Sequence, residues 1–220
     1  MHREHAMRFR PYVMPLTLVL VAAGCTDQTG PGPSPTAVPA PLAQTVATTT
    51  TAIPMLRQAP TAPRLQTYRM SFWARRGTQT TVGIYYRRVP GQFMGDPFLR
   101  FKIPINGIVA GANGVPLGRG DSVLITLTID SIYFRVNFQP SGVVFSSSSL
   151  AQLAFWYQDA NPDMNGDGVV NGADQLIEQN LAVYSKSGGS SWGKLLSRND
   201  PTQQVVGAQV FHFSQYAVSW

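Results

Sequence analysis

Two neighbouring segments in which apolar side chains recur at every second position constrain the fold of this chain most. The segments are Val123–Ile129 and Ile132–Gln139, and the short pair Asp130-Ser131 joins them. A period of two residues is typical of a β-strand with one buried face. The predicted inward residues of the second segment are Ile132, Phe134, Val136 and Phe138. The sequence therefore predicts two consecutive strands joined by a tight connection.

Further short apolar runs separated by Gly, Pro, Asn and Asp extend this pattern over the C-terminal two thirds of the chain. The runs are Tyr68–Ala74, Thr81–Arg87, Phe98–Ile103, Leu150–Tyr157, Leu181–Lys186, Trp192–Ser197, Val205–Phe213 and Tyr216–Trp220. About 155 residues follow Leu65, enough for one domain with a sizeable core. Many short strands at this spacing predict a mostly β fold, an antiparallel β-sandwich or a barrel.

The segment Asp163–Asp174 departs from the strand pattern. In this twelve-residue frame, side chains with oxygen atoms occupy positions 1, 3, 5, 9 and 12, and Gly168 occupies position 6. Ca²⁺ takes about six to eight hard oxygen ligands, and a short loop supplies them by curling around the ion. At position 7, Val169 offers its backbone carbonyl, so its side chain is free to be apolar. The spacing predicts a calcium-binding loop.

The distribution of charge supports this interpretation. The chain has a formal net charge of +6, yet no Lys or Arg occurs between Val136 and Ser185. The charged residues of that window are Asp159, Asp163, Asp167, Asp174 and Glu178. Carboxylates placed together raise one another's pKa and repel, and a bound dication removes this cost. The alternative is a surface turn rich in Asn, Asp and Gly that binds nothing.

The pattern Asp-x-Asn-x-Asp-Gly-x-Val-Asn-x-x-Asp, which begins at Asp163, resembles the calcium loop of dockerin modules. A short amphipathic stretch follows, with Leu176, Ile177 and Leu181 at near-helical spacing. The ligands that the resemblance implies are Asp163, Asn165, Asp167, the Val169 carbonyl, Asn171 and Asp174. Dockerins carry two such loops at a chain end, whereas this chain has one between predicted strands. An accessory module of a polysaccharide-degrading assembly is therefore the alternative to a binding module with a structural calcium ion.

The segment Ala208–Val218, together with Trp192 and Phe138–Phe145, carries a second resemblance. It is similar to the β-sandwich shared by netrin receptors, ankyrins and zonula-occludens proteins, in which a His-Phe-Ser-x-Tyr strand closes the fold. The matching strand here is His212–Tyr216. The resemblance covers about residues 97–220 and implies a binding or scaffolding module without catalysis, with a protein or polysaccharide as partner.

The first 25 residues have the pattern of a targeting segment. Arg3, Arg8 and Arg10 precede the apolar run 13–23, which is shorter than the about 20 residues of a membrane-spanning helix. Ala-Ala-Gly before Cys25 resembles a bacterial lipobox, which implies lipid attachment at Cys25 and anchoring in the cell envelope. Thr26 follows instead of aspartate, which favours the outer membrane. A signal peptide that is cleaved without lipidation is the alternative.

Residues 26–65 are rich in Pro and Thr, and the first aromatic residue after the targeting segment is Tyr68. Such a segment buries too little apolar surface to offset the entropy of ordering, so we predict a disordered, semi-rigid linker. The expected organisation is a signal peptide over 1–25, a linker over 26–65 and a β-sandwich over 66–220. The calcium loop and a short helix form an insertion over 159–180.

No catalytic residue is assigned from the sequence. His212 is the only histidine after the targeting segment, and structural histidines are far commoner than partners of a nucleophile such as Ser214. One histidine and no cysteine in the body exclude the usual zinc sites. A solvated outer sheet face is the favoured interpretation of a basic set with interleaved aromatics, and a surface for lipid phosphate, polysaccharide or nucleic acid is the alternative. The set is Arg64, Arg69, Arg75, Arg76, Arg87, Arg88, Arg100 and Lys102. Nucleic acid is not favoured, since the sequence has no phosphate-binding loop or recognition helix.

Overall fold

A computed structural model describes residues 52–88, 90–91 and 94–220 of this protein. The predicted targeting segment, Cys25 and residues 26–51 of the predicted linker lie outside the described residues. Within the described part, no helix is long and apolar enough to cross a membrane.

Short strands dominate the described residues, with one helix between the eighth and ninth strands. The elements are β1 (Arg69–Arg75), β2 (Thr80–Tyr85), β3 (Pro97–Ile103), β4 (Ile108–Ala110), β5 (Ser122–Ile129), β6 (Arg135–Gln139), β7 (Val144–Phe145), β8 (Ala151–Trp156), α1 (Gly172–Gln179), β9 (Ala182–Lys186), β10 (Gly193–Lys194), β11 (Ser197–Asp200), β12 (Val205–Val210) and β13 (Gln215–Ser219). Every predicted strand segment overlaps at least one observed strand.

The strands form two large sheets and one small pair. Sheet A has the order β1-β5-β6-β13-β9-β10, and sheet B has the order β11-β12-β8-β3-β2. Strands β4 and β7 form the separate pair, and the paired strands are antiparallel throughout. The predicted mostly β, antiparallel fold with one short helix is therefore confirmed.

Aromatic side chains join the two large sheets face to face. The ring centroid of Phe101 on β3 of sheet B lies 4.7 Å from that of Phe138 on β6 of sheet A. Phe138 in turn stacks on Phe213 at 4.9 Å. Phe98 of sheet B stacks on Phe134, just before β6, at 5.1 Å. A β-sandwich core consists of such inward side chains from both sheets.

The folded body extends N-terminal to Gln66, where composition places its start. Leu56 and Leu65 are each 1% exposed and belong to the core. The Leu56 N–H donates to the Val218 carbonyl at 3.0 Å, and its own carbonyl accepts from the Phe134 N–H at 2.9 Å. Residues 52–65 therefore pack on the sandwich although they are rich in proline.

The connection between β5 and β6 is longer than the alternation of apolar side chains in Ile132–Gln139 predicts. The Asp130 carboxylate accepts from the backbone N–H groups of Ile132 at 2.8 Å and Tyr133 at 3.0 Å, and it pairs with Arg135. This Asx-type turn holds the chain out of the ladder, so β6 begins at Arg135. Ile132 is consequently 49% exposed, and its predicted inward position is wrong.

Candidate metal centre

The 163–174 loop lies in the connection between the two large sheets. It follows β8 of sheet B and leads through α1 into β9 of sheet A. The C-terminal turn of α1 is tied to the sandwich, because the Asn199 side-chain amide donates to the Glu178 carbonyl at 2.6 Å. The Tyr157 hydroxyl donates to the other end of the same amide at 3.0 Å. Both ends of the loop–helix segment are therefore attached to packed structure.

Asp163, at the first position of the loop, is surrounded by backbone donors. Its Oδ1 accepts from the N–H groups of Gly166 at 2.8 Å and Asp167 at 3.1 Å, and its Oδ2 accepts from Gly168 at 2.9 Å. Gly166 and Gly168 have φ of 76° and 88°, a region that favours glycine. The loop therefore curls around the Asp163 carboxylate, and Gly168 at position 6 has the backbone conformation of a tight turn.

The middle of the loop is a chain of short polar contacts. Asn165 Oδ1 accepts from the Asp167 N–H at 3.0 Å, and Asp167 Oδ1 accepts from the Val169 N–H at 2.8 Å. The Asn165 amide also donates to Asp167 Oδ2 at 2.9 Å. The Val169 side chain is 58% exposed, and its carbonyl accepts from the Asn171 amide at 3.2 Å. The residues whose oxygens are predicted ligands at positions 3, 5, 7 and 9 are thus joined by one continuous run of hydrogen bonds.

Helix α1 begins directly at the end of the loop. Asn171 is its N-cap, and its Oδ1 accepts from the Ala173 N–H at 2.7 Å. Asp174 is the third helical residue, and its Oδ2 accepts from the Asn171 N–H at 2.9 Å. This reciprocal arrangement is a capping box, which satisfies donors that the first turn of a helix leaves unpaired.

Asp174 also joins the two ends of the loop. Its Oδ1 accepts from the N–H groups of Met164 at 2.7 Å and Asn165 at 3.2 Å. The Asn171 N–H, together with those of Asn165 and Met164, holds the pKa of this carboxyl below its usual range although the side chain is buried. The capping role of Asp174 was not predicted, although an acidic residue three positions after an Asn cap is the usual sequence signal of a capping box.

The donor set of the loop fits Ca²⁺ in its chemistry, because every predicted ligand is a hard oxygen. Among the described residues, no group of three or more His, Cys, Asp or Glu side chains is placed to hold a metal ion. The loop carboxylates instead accept hydrogen bonds from the loop itself. Asp163 and Asp174 each accept three backbone N–H groups over their two carboxylate oxygens, so both have few free lone pairs left.

A cavity of about 510 Å³ opens between the loop and the sandwich. Asp163 and Asn165 line it from the loop, and Arg57, Tyr133 and Trp220 line it from the body. The Arg57 guanidinium carbon lies 5.8 Å from the centroid of the Tyr133 ring, a cation–π contact. The first half of the loop therefore forms one wall of a polar and aromatic cavity.

The other candidate residues make local hydrogen bonds or lie on separate sheets. The Ser214 hydroxyl donates to the Gln215 carbonyl at 3.3 Å, and the His212 carbonyl accepts from the Tyr216 hydroxyl. The basic set does not form one surface. Arg69 and Arg75 lie on β1 of sheet A, whereas Arg100 and Lys102 lie on β3 of sheet B.

The fold and the loop together define an antiparallel β-sandwich with a loop–helix connection between its sheets. The chain matches no family model, no curated protein and no solved structure.

Proposed function

We propose that this protein is a binding or scaffolding module of the bacterial cell envelope, anchored by a lipid on Cys25 and stabilised by one calcium ion in the 163–174 loop. The ligands are Asp163, Asn165, Asp167, the Val169 carbonyl, Asn171 and Asp174. One observation carries the calcium assignment: the loop backbone curls around the Asp163 carboxylate and brings the oxygens of the next odd-numbered positions into one polar run.

The attachment of the loop supports a structural role for the ion over a signalling role. A calcium sensor needs an element that moves when the ion binds. Here β8 precedes the loop, and the Asn199 amide holds the C-terminal turn of α1 against β11. An ion in the loop would neutralise its acidic side chains and hold the connection between the sheets in place.

Calcium is expected to raise the melting temperature of the full chain. Extracellular calcium modules have Kd values of about 10⁻⁴–10⁻³ M. At about 100 times Kd, a bound ligand stabilises the folded state by about 2.7 kcal/mol. For a domain of this size, that free energy corresponds to a rise of roughly 5–10 °C. Differential scanning calorimetry in calcium and in chelator measures the shift.

Asp167→Asn is the matched variant for this experiment. Asp167 is exposed, and Asn at this position retains an oxygen for the Val169 N–H but loses the charge that attracts the ion. We expect its melting temperature in chelator to lie close to that of the parent, since only the exposed hydrogen bond from the Asn165 amide is lost, and the rise with calcium to be smaller. Equal melting curves of the parent in calcium and chelator, with no heat of binding by titration calorimetry, would exclude the structural ion.

Substitution of Cys25 is expected to release the protein from the membrane. Two acyl chains give stable anchoring, whereas one gives marginal binding. In bacteria given a labelled fatty acid, the parent should carry the label and sediment with membranes. Cys25→Ser should lose the label and move to the soluble fraction, while Thr26→Ser should retain both properties. Label that persists in Cys25→Ser would contradict attachment at this residue.

A further inference from the structure

The outer face of sheet B carries a row of residues that the sequence does not place together. Strand register aligns Arg100 of β3, Ala154 of β8, Gly207 of β12 and Arg198 of β11 across four adjacent strands. Side chains at paired positions point to the same face of a sheet. The row therefore has two small residues in its centre and a guanidinium at each end.

The small residues leave a groove across the strands, which we call the sheet B groove. A cavity of about 660 Å³ lies over Ala154, Gly207 and Arg198. A Cβ atom on Gly207 would lie 3.1 Å from the Leu153 carbonyl oxygen and 3.5 Å from the Ala154 Cβ, so the floor is closely packed. Leu196, which is 96% exposed, forms part of its rim.

Polar side chains form one wall of the groove. Lys102, Gln152 and Gln209 are register neighbours on β3, β8 and β12, one row from the floor. Gln152 and Gln209 are exposed and line the cavity. Their amides carry both donors and acceptors, which is the hydrogen-bonding capacity that matches the hydroxyl groups of a sugar.

Trp156, Val205 and Asp200 are register neighbours on the other side of the floor, and Val205 and Asp200 line the cavity. The Arg100 guanidinium carbon lies 5.1 Å from the centroid of the Trp156 ring. Asp200 Oδ1 accepts from the Gln203 N–H at 3.1 Å. Three cations and one carboxylate therefore lie on this face of sheet B, and Arg198 and Asp200 among them line the cavity. The carboxylate already has a backbone donor. The charge of this face complements a ligand that carries carboxylates.

The spacing of the two arginines along the row indicates an extended ligand. Adjacent strands are about 4.8 Å apart, so the Cα atoms of Arg100 and Arg198, three strand intervals apart, are separated by about 14 Å. Arginine pairs with carboxylates through a planar fork of donors. A ligand that satisfies both arginines must run across the strands and carry an acidic group at each end of this span.

From this geometry we infer that the sheet B groove binds a chain of an acidic polysaccharide. The inference rests on the proposed function and names the partner class of the binding module. Nucleic acid fits the groove less well, because single strands bind through stacking on free aromatic faces. The Arg100 guanidinium already lies over the Trp156 ring. The Tyr85 ring packs against Gly83, where an added Cβ would lie 2.8 Å from it. Both aromatic rings therefore already have a neighbour on this face.

The test is titration of the purified full chain with polygalacturonate, with dextran as neutral polysaccharide and with single-stranded DNA. We expect polygalacturonate to bind and dextran and DNA to bind at least about tenfold more weakly, a difference of about 1.4 kcal/mol or more. The double variant Arg100→Glu with Arg198→Glu should weaken the binding of polygalacturonate about tenfold or more. Ala154→Trp, which fills the groove with no change of charge, should weaken it similarly.

The control is Arg69→Glu with Arg119→Glu, which makes the same change of charge on exposed residues outside sheet B. Circular dichroism checks that each variant is folded. Equal loss in the control and groove variants, or no binding of polygalacturonate by the parent, overturns the inference. DNA binding that the groove variants abolish assigns the face to nucleic acid and overturns it as well. Because calcium cross-links polygalacturonate, all titrations are made in chelator. Equal binding by the parent and Asp167→Asn there separates this outcome from the calcium proposal, whose ligands lie outside the groove.

Discussion

Phe138→Ala is expected to lower the free energy of unfolding by about 3–5 kcal/mol. Phe138 is fully buried on β6, and its ring contacts side chains that come from two distant parts of the chain. The ring centroids of Phe101 and Phe213 lie 4.7 and 4.9 Å away, and that of Tyr216 lies 6.0 Å away. Removal of the ring leaves a cavity between the sheets that closely packed neighbours do not fill.

Urea denaturation followed by tryptophan fluorescence measures this loss. Phe211→Ala is the matched control, because it removes the same ring at a position that is 54% exposed. Its expected cost is about 1 kcal/mol or less. Equal losses for the two variants would show that Phe138 does not lie in the joint core of the sheets.

The strands were predictable from local alternation, whereas their order was not. Ile125, Leu127 and Ile129 face inward as the period of two predicts, and all three are buried. The pairing of β1 with β5 and of β13 with both β6 and β9 depends on contacts between distant segments. Local periodicity carries no information on such partners.

Local reasoning failed where a side chain replaces a ladder hydrogen bond. Ile132 continues the alternation in sequence, but the Asp130 carboxylate accepts from its N–H and keeps it outside the sheet. Similarly, the predicted strand Trp192–Ser197 is divided between β10 and β11, and the exposed Leu196 lies between them. A polar turn residue can therefore end a strand within an apolar pattern.

The sequence identifies the oxygen-bearing side chains of the candidate site but not the contacts that they make. The spacing from Asp163 fixed which side chains carry oxygen, and the structure shows which backbone N–H groups they accept from. The sheet B groove was not predictable at all, because Ala154, Gly207 and Arg198 become neighbours only through the order β8-β12-β11.

Asp174→Ala is expected to lower the melting temperature by several degrees in the absence of calcium. The substitution removes the acceptor for the N–H groups of Met164, Asn165 and Asn171. The capping box of α1 is lost, and the beginning and end of the loop are no longer joined. Asp174→Asn should have an intermediate effect, because its amide retains one oxygen and presents N–H groups in place of the other.

Measurement in chelator separates this role of Asp174 from a role as a calcium ligand. A residue that acts mainly as a ligand loses little when calcium is absent, which is the result expected for Asp167→Asn, where only an exposed hydrogen bond from the Asn165 amide is lost. If Asp174→Ala melts like the parent in chelator, the structural role of its carboxylate is wrong. Hydrogen exchange at Met164, Asn165 and Asn171 should quicken in Asp174→Ala, because these amides lose their acceptor.

Acid provides an independent check of the same carboxylate. The Asn171 N–H and the two other backbone donors hold the folded-state pKa of Asp174 below the ordinary value of about 3.9. Its contribution to stability is therefore complete above the ordinary pKa and is lost as the pH falls through the folded-state pKa. The difference in melting temperature between parent and Asp174→Ala, measured in chelator, should be constant near neutral pH and shrink in this acidic range. A difference that grows on acidification would mean that the protonated carboxyl is the form that the fold favours.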